Sequence, residues 1–389
     1  MSDHFTRRET LRKGLAATSL LALMRQWALP ALADGEVDVP FTDLPASLIN
    51  FNPTPGPERR ILDIRKISNP LTPKDQFFTT QHLGHPVIDP ARFALRVSGL
   101  VGRPQSLSLD ELRKMPGTDL VFGFECSGNR RPLQGLCSNG RWTGVPLKAV
   151  LDRAGVKPEA REFIFFGADH GEEDVDFRGQ INKVDQQYGR SLTREQALSP
   201  EPLLAYAMNG EPLTRHQGFP LRLLVPGWYG VAHVKWLSNI HVQEEPYLGK
   251  FQARWYRTLK GEMIGGEMKW VETAVTRMQL KSFIARVTRE NGQHKVLGVA
   301  LNDGTPLKSI EVRIDDGPWQ PAVIDPATNG KYSWKLFVYV WKDAAAGEHT
   351  LVSRVTDVTG KVQPTTEDLV NKKTFLEDNS QYPRRVTIS

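Results

Sequence analysis

The stretch "FECSGNRRPLQGLCSNGRW", Phe124 to Trp142, holds both cysteines of the chain, Cys126 and Cys137, with two arginines, an Asn and two glycines between them. A disulfide loop, a metal site and a surface turn carrying two thiols all fit this composition. A two-cysteine protein in an oxidising compartment usually bridges its thiols. Three features set Cys126 apart. It follows the apolar run "LVFGF", so it falls at the end of an expected strand. Ser127, Gly128 and Asn129 suit a sharp turn with backbone N–H groups free to face a ligand. Arg130 and Arg131 then place two permanent cations beside the sulfur. Cations lower a thiol pKa and make a thiolate available as nucleophile or soft-metal ligand. On these residues alone, bridge and metal ligand both stay open.

The compartment is read from the N-terminus. "TRRETLRKG" is basic, with paired Arg7 and Arg8; "LAATSLLALM" is a short apolar run; "ALA" at Ala31 to Ala33 is a small-residue cleavage signal. Residues 1–33 are therefore expected to be a twin-arginine export signal, which sends a folded chain to the periplasm. Its five basic and two acidic residues carry three of the six formal positive charges, leaving about +3 on the remainder. With no basic run or aromatic-interleaved Lys/Arg stripe, nucleic acid is not an expected partner. No run of about 18 apolar residues is present, so no membrane span is expected.

Residues 34–75, with "FNPTPGPERR" and "NPLTPKDQFF", read as an extended arm over the first domain. In the next stretch, "FALRVSGLV" alternates as a strand does. Ser108 and Glu111 form a capping box that opens a short helix, and Pro146 to Gly155 brackets another. "EFIFFGAD" and "LRLLVP" are apolar runs of strand length, and Asn209-Gly210 signals a tight hairpin. This mixture predicts an α+β domain at 76–262. "LKGEMIGGEMKW" reads as the junction. Beyond it, "KVLGVALNDG", "YSWKLFVYVW" and "HTLVSRVTDVTG" alternate with period two between Asp-Gly and Thr-Gly turns. Residues 263–389 are thus expected to form an all-β, immunoglobulin-like sandwich without its disulfide.

"ECSGNRR…RWTGVPL" resembles the molybdenum-cysteine loop of the sulfite oxidase family of molybdopterin enzymes. "NGEPLTRHQGFPLRLLVPGWYGVAHVKWL", Asn209 to Leu237, is similar to that family's pterin-binding block, and "KFQARWYRTLK" resembles the segment carrying its active-site Tyr. Three blocks in order are a specific signal; the short loop motif alone is not. The resemblance implies a molybdenum-molybdopterin cofactor, with Cys126 as the protein ligand to the metal. It implies cofactor contacts from His82, His216, Arg222 and Lys235, and substrate handling by Tyr256 and Arg131. Arg and Lys suit a dianionic phosphate, as bidentate and point-charge donors respectively. It further implies dimerisation through the sandwich and oxygen-atom transfer to a small sulfur compound. The chain carries no C-x-x-C-H haem motif, so electrons are expected to pass to a separate c-type cytochrome.

The sequence departs from the family's pattern at its substrate pocket. Thr80 stands where the family's sulfite oxidases have Arg, and a second substrate Arg aligns loosely with Lys373. Losing two guanidiniums removes bidentate donors for a dianion, so sulfane sulfur stands beside sulfite as the expected substrate. The rival expectation is an exported, non-enzymatic binding or adhesion protein with a structural Cys126–Cys137 disulfide.

Overall fold

The computed structural model describes residues 35–44, 60–130, 132 and 134–389. The expected export signal and Arg131 lie outside the described residues. The fold is mostly β, with more strand and less helix than the α+β expectation implied. The helix signals were real but short. The Ser108 capping box opens Leu109–Lys114, and the helix after Pro146 is Leu147–Ala154, closed by Gly155 in the left-handed region.

Two sheets build the first half. One is mixed, ordering Gln105–Ser108, Ala94–Gly99, Leu237–Gln243, Glu162–Phe177 and Gln180–Thr193; its single parallel pair joins Ala94–Gly99 to Leu237–Gln243. The other is antiparallel: Arg222–Leu224, Leu203–Met208, Cys137–Pro146 and Thr118–Glu125. Leu95 and Phe165 from the first share one core with Phe122, Trp142 and Leu223 from the second. The run "EFIFFGAD" does not stop at strand length. It continues to Phe177 and returns as a long hairpin whose turn, Arg178-Gly179, has two positive φ angles. Polar alternation beyond Asp169 hid this extension, because an exposed ribbon buries little apolar surface.

The second half is two sheets face to face. Val37–Val39, Lys281–Glu290, Gln293–Leu301, Lys335–Trp341 and Val323–Ile324 form one; Gln320–Pro321, Leu307–Ile314, Gly347–Asp357 and Arg384–Ile388 form the other. Ile284, Val296 and Phe337 meet Ile310, Val312 and Leu351 between them. The alternate residues of the first sheet, Phe283, Val299 and Leu336, are buried too, in a separate cluster with Leu62, Ile64 and Cys137. That sheet is covered on both faces, which explains its nearly continuous apolar strands. The N-terminal arm therefore lies against the second half as well as the first: Val37–Val39 completes a sheet edge beside Lys281–Glu290. "LKGEMIGGEMKW" is not a bare connector. It forms a two-stranded hairpin, Arg257–Ile264 with Glu267–Ala274, turning at Gly265-Gly266.

The halves are joined by a buried ion pair. Lys281 Nζ lies 3.1 Å from Glu125 Oε2 and donates to the Asn129 carbonyl at 2.8 Å, with both charged side chains about 1% exposed. Asn129 Nδ2 donates to the same carboxylate at 2.9 Å, and Asn129 Oδ1 accepts from the Leu136 amide. Burial pushes the Glu125 carboxyl upward, and Lys281 and Asn129 pull it back. Lys281→Met strands that carboxylate and should destabilise the fold by about 3–5 kcal/mol, read from denaturant unfolding. Adding Glu125→Gln removes the unpaired charge and should recover part of the loss.

Candidate active site

Cys126 directly follows the strand Thr118–Glu125 and lines a partly open cavity with Phe124, His82 and Tyr256. Its amide donates to the Leu136 carbonyl at 2.9 Å, and its own carbonyl accepts from the Asn129 amide at 2.8 Å. The Glu377 amide bonds to the Ser127 carbonyl at 2.7 Å, so the C-terminal segment also fixes the turn. Cys137 sits across the ladder from Glu125. Adjacent strand residues face opposite sides, so Cys126 opens into the cavity while Cys137 points to the interdomain core. The two thiols are not bridged. Cys137 Sγ donates to the Gln134 carbonyl at 3.3 Å, and burial with Glu125 nearby pushes its pKa far up. Its thiolate is therefore suppressed at neutral pH.

The cavity brings together all the described residues expected to form the site: His82, Cys126, His216, Arg222, Lys235 and Tyr256. Arg222 opens its short strand and is 4% exposed. Its guanidinium lies over Trp142 at 5.1 Å and donates to the Gln217 carbonyl at 2.9 Å. Burial lowers its pKa to about 9, so it stays charged at neutral pH. Lys235 Nζ reaches the Thr80 carbonyl at 3.1 Å and the His216 carbonyl at 3.3 Å. Burial, then repulsion from Arg222, lowers it to about 7.

Tyr256 Oη lies 2.5 Å from His82 Nε2. His82 is exposed as a residue, but its ring is hemmed by Tyr188, Phe251, Trp255 and Tyr256. Burial and the nearby Lys235 and Lys250 lower it to about 4, so it is neutral at pH 7. Burial, with Cys126 close by, raises Tyr256 far above the ordinary phenol. The tyrosine therefore keeps its proton and donates it to the imidazole. His216 is also pushed toward its neutral form, by burial and then by Arg60, Lys235 and Arg215.

Thr80 lines the cavity, but Lys373 does not: its ammonium bonds the Val370 carbonyl and lies over Trp270. Arg130, expected beside the sulfur, lies over Phe375 at 4.9 Å and lines a second cavity with Lys372. Asp169 was missed by sequence reasoning. It is 5% exposed, lines the Cys126 cavity, and its Oδ1 has no hydrogen-bond partner. Burial raises its pKa to about 6. Its only sequence signal is an acid closing an apolar strand.

These orphans test the fit of a molybdopterin. Arg222 Nε is buried without a partner, as is Asp169 Oδ1. Unpaired buried donors and acceptors each cost about 1–3 kcal/mol. A phosphate would complete the guanidinium, pterin N–H groups would complete the carboxylate, and one thiol faces the same space. The donor set fits the group.

Residues 82–251 match the Oxidoreductase molybdopterin binding domain family. The chain is 32% identical to chicken (Gallus gallus) sulfite oxidase over 321 residues, covering 76% of this chain and 68% of that one. The chain belongs to the sulfite oxidase family. It is 31% identical to the mitochondrial sulfite oxidase of Rattus norvegicus over 355 residues, 83% of this chain and 62% of the relative. It thus spans about three-fifths of the length of that relative. Sulfane dehydrogenase SoxCD from Paracoccus pantotrophus shares the fold, with a TM-score of 0.71, 24% identity and 91% coverage of both chains. As in the family, molybdenum-molybdopterin is the cofactor of this domain.

Lys235 carries a pH signature. Its pKa is lowered on folding, so between about 7 and 10.5 the unfolded chain binds more protons and stability rises with pH. In cofactor-free protein, the stability of wild type relative to Lys235→Met should improve steadily as pH rises from 7 toward 10. Thermal melts across that range check it. Metal analysis of Lys235→Met purified from cells should show depleted molybdenum.

Proposed function

We propose that this chain is an exported molybdopterin oxidoreductase that oxidises a small sulfur compound and passes the electrons to a separate c-type cytochrome. The observation that carries this reading is the meeting, in one cavity, of the Cys126 thiol, the buried cations Arg222 and Lys235, and the Tyr256–His82 pair. When bound, the cofactor supplies oxygen-atom transfer and storage of two electrons.

The chain's own residues do the rest. Cys126 offers a thiolate to the metal. Arg222, Lys235 and His216 hold the phosphate and pterin, and Asp169 accepts from pterin N–H groups. Charge returned to Arg222 and Lys235 by the phosphate offsets the burial that lowers both pKa values. Phe78, Phe124 and Tyr188 line the cavity and exclude water. Tyr256 holds a proton at Oη against neutral His82 and orients substrate oxygen by hydrogen bonding, and Arg131 adds a cation at the substrate.

The substrate is sulfite or a sulfane sulfur compound. Sulfite is a dianion near neutral pH. Thr80 in place of a guanidinium, and Lys373 turned away from the cavity, both weaken its binding and favour the sulfane reading. Residues 1–33 direct periplasmic export, 34–75 form the arm, 76–262 hold the cofactor, and 263–389 form an immunoglobulin-like unit that pairs two copies as a homodimer.

Turnover of a panel of sulfur substrates with an artificial one-electron acceptor tests the reading. Cys126→Ser should abolish turnover and the thiolate-to-metal absorption, while Cys137→Ser should leave both largely intact. Equal loss in both variants, or no molybdenum in wild type, refutes it. Thr80→Arg should lower the KM for sulfite on the order of tenfold, since a charge-assisted hydrogen bond contributes roughly 1.5–3 kcal/mol. An unchanged KM with the metal site intact means that sulfite is not bound at this position.

A further inference from the structure

Arg190 is a buried cation with no part in the site described above. It lies in the strand Gln180–Thr193, across the ladder from Phe165, and is 1% exposed. Residues two apart on a strand share a face, so Arg190 follows Tyr188, which lines the cavity. Its Nη2 donates to the Val275 carbonyl at 2.8 Å, and its Nη1 to the Phe251 carbonyl. These two carbonyls flank Tyr256. Phe251 belongs to the turn Lys250–Arg254 just before it, and the Val275 amide donates to the Tyr256 carbonyl at 2.9 Å. Phe251 also stacks on Tyr188, with ring centroids 4.5 Å apart. One guanidinium therefore ties together the backbone on both sides of the residue whose hydroxyl meets His82.

The charge on this guanidinium is not neutralised. The basic residues nearest Tyr256 in sequence each meet a carboxylate: Lys250 and Arg254 meet Glu173 at 2.7 and 3.7 Å, and Arg257 meets Glu272 at 3.0 Å. Arg190 has the two carbonyls, its Nε is buried without a partner, and no acid among the described residues pairs with it. A cation withdrawn from water without a counter-charge is unfavourable, and its field is poorly screened. That field reaches Tyr256, where it opposes the burial that raises the phenol.

We propose that Arg190 is a positioning residue for substrate: it clamps the backbone around Tyr256 and sets an unneutralised charge behind it, so that the Tyr256 hydroxyl receives an anionic sulfur compound; this rests on the reading of Tyr256 as the residue that orients substrate. Part of the charge absent at Thr80 is thus supplied from inside the fold. Arg190 does not line the cavity, so it acts through Tyr256 and through its field.

Two measurements test this. In cofactor-free protein, hydrogen exchange of residues 250–256 and 273–277 should be roughly tenfold faster in Arg190→Met than in wild type, with the sandwich strand Leu307–Ile314 unchanged. In holoenzyme of intact molybdenum content, the inhibition constant of sulfate, an unreactive dianion, should rise on the order of tenfold in Arg190→Met and Arg190→Gln, and stay within about threefold of wild type in Arg190→Lys. Arg190→Gln keeps a carbonyl bond without the charge, and carries the comparison if Arg190→Met does not fold. Unchanged exchange around Tyr256, or exchange accelerated equally along the whole chain, overturns the clamp and the proposal with it. Equal weakening of sulfate in Arg190→Lys and Arg190→Gln, or none in either, overturns the role of the charge. Tyr256→Phe separates this failure from that of the underlying reading: wild-type turnover and sulfate inhibition in that variant mean that Tyr256 does not orient substrate, and the proposal falls for that reason.

Discussion

The contact of Lys281 with Glu125 and the Asn129 carbonyl organises this molecule, because it fixes the cavity loop from outside the cavity. Two charges withdrawn from water are unfavourable unless paired and hydrogen-bonded. Here Asn129 supplies a second donor to the carboxylate and returns its own Oδ1 to the Leu136 amide. Lys281 of the other half thereby holds the start of the Cys126–Leu136 loop, and Asn129 closes the loop on itself through the Leu136 amide. Glu377 and Asn379 reinforce it from the C-terminal segment, through the Ser127 and Leu280 carbonyls. The thiol that faces the cavity is positioned by residues up to about 250 positions away, none of which lines it.

That rigidity holds a cavity that is electrostatically unfavourable when empty. Arg222 and Lys235 are cations pushed toward neutrality by burial, and Asp169 is a carboxylate pushed the same way. All three shifts have the sign expected of groups waiting for a partner of opposite or complementary character. A preformed site of this kind costs stability in the cofactor-free chain and returns it on binding, since a ligand that binds only the folded state stabilises it by mass action. The histidines behave differently. His82 and His85 are both lowered to about 4, chiefly by burial, so they are neutral at pH 7 and serve as hydrogen-bonding rings rather than charges.

Local chemistry made some elements legible and left others silent. Asn209 and Gly210 both take positive φ and close the hairpin between Leu203–Met208 and Glu211–Pro212, as the dipeptide required. Ser108 and Glu111 make both bonds of the capping box. The motif blocks brought five distant side chains, Cys126, His216, Arg222, Lys235 and Tyr256, to one cavity with His82, because each block is a strand end or an adjacent turn. The exposed ribbon beyond Asp169 was not legible: Glu172, Asp174 and Asp176 alternate with residues that bury little, so the period-2 signal is polar on both faces. Arg130 has a partner that sequence adjacency does not reveal: its guanidinium stacks on Phe375, more than two hundred residues away. Asp169 was missed because a lone acid after an apolar run is indistinguishable in sequence from an ordinary strand terminator.

Whether Cys126 and Cys137 pair is decided by parity in the ladder. Glu125 and Cys137 are direct cross-strand partners. Cys126 lies one residue beyond, and one residue in a strand reverses the face. A bridge would need the ladder to slip by one position. That slip would carry Glu125 away from Lys281 and Asn129, leaving a buried carboxylate and a buried ammonium unpaired. It would also turn Phe124 and Phe122 out of the core they share with Trp142. The same register that keeps the ion pair intact therefore keeps the thiols apart, one in a core where its proton is retained and the other facing the cavity.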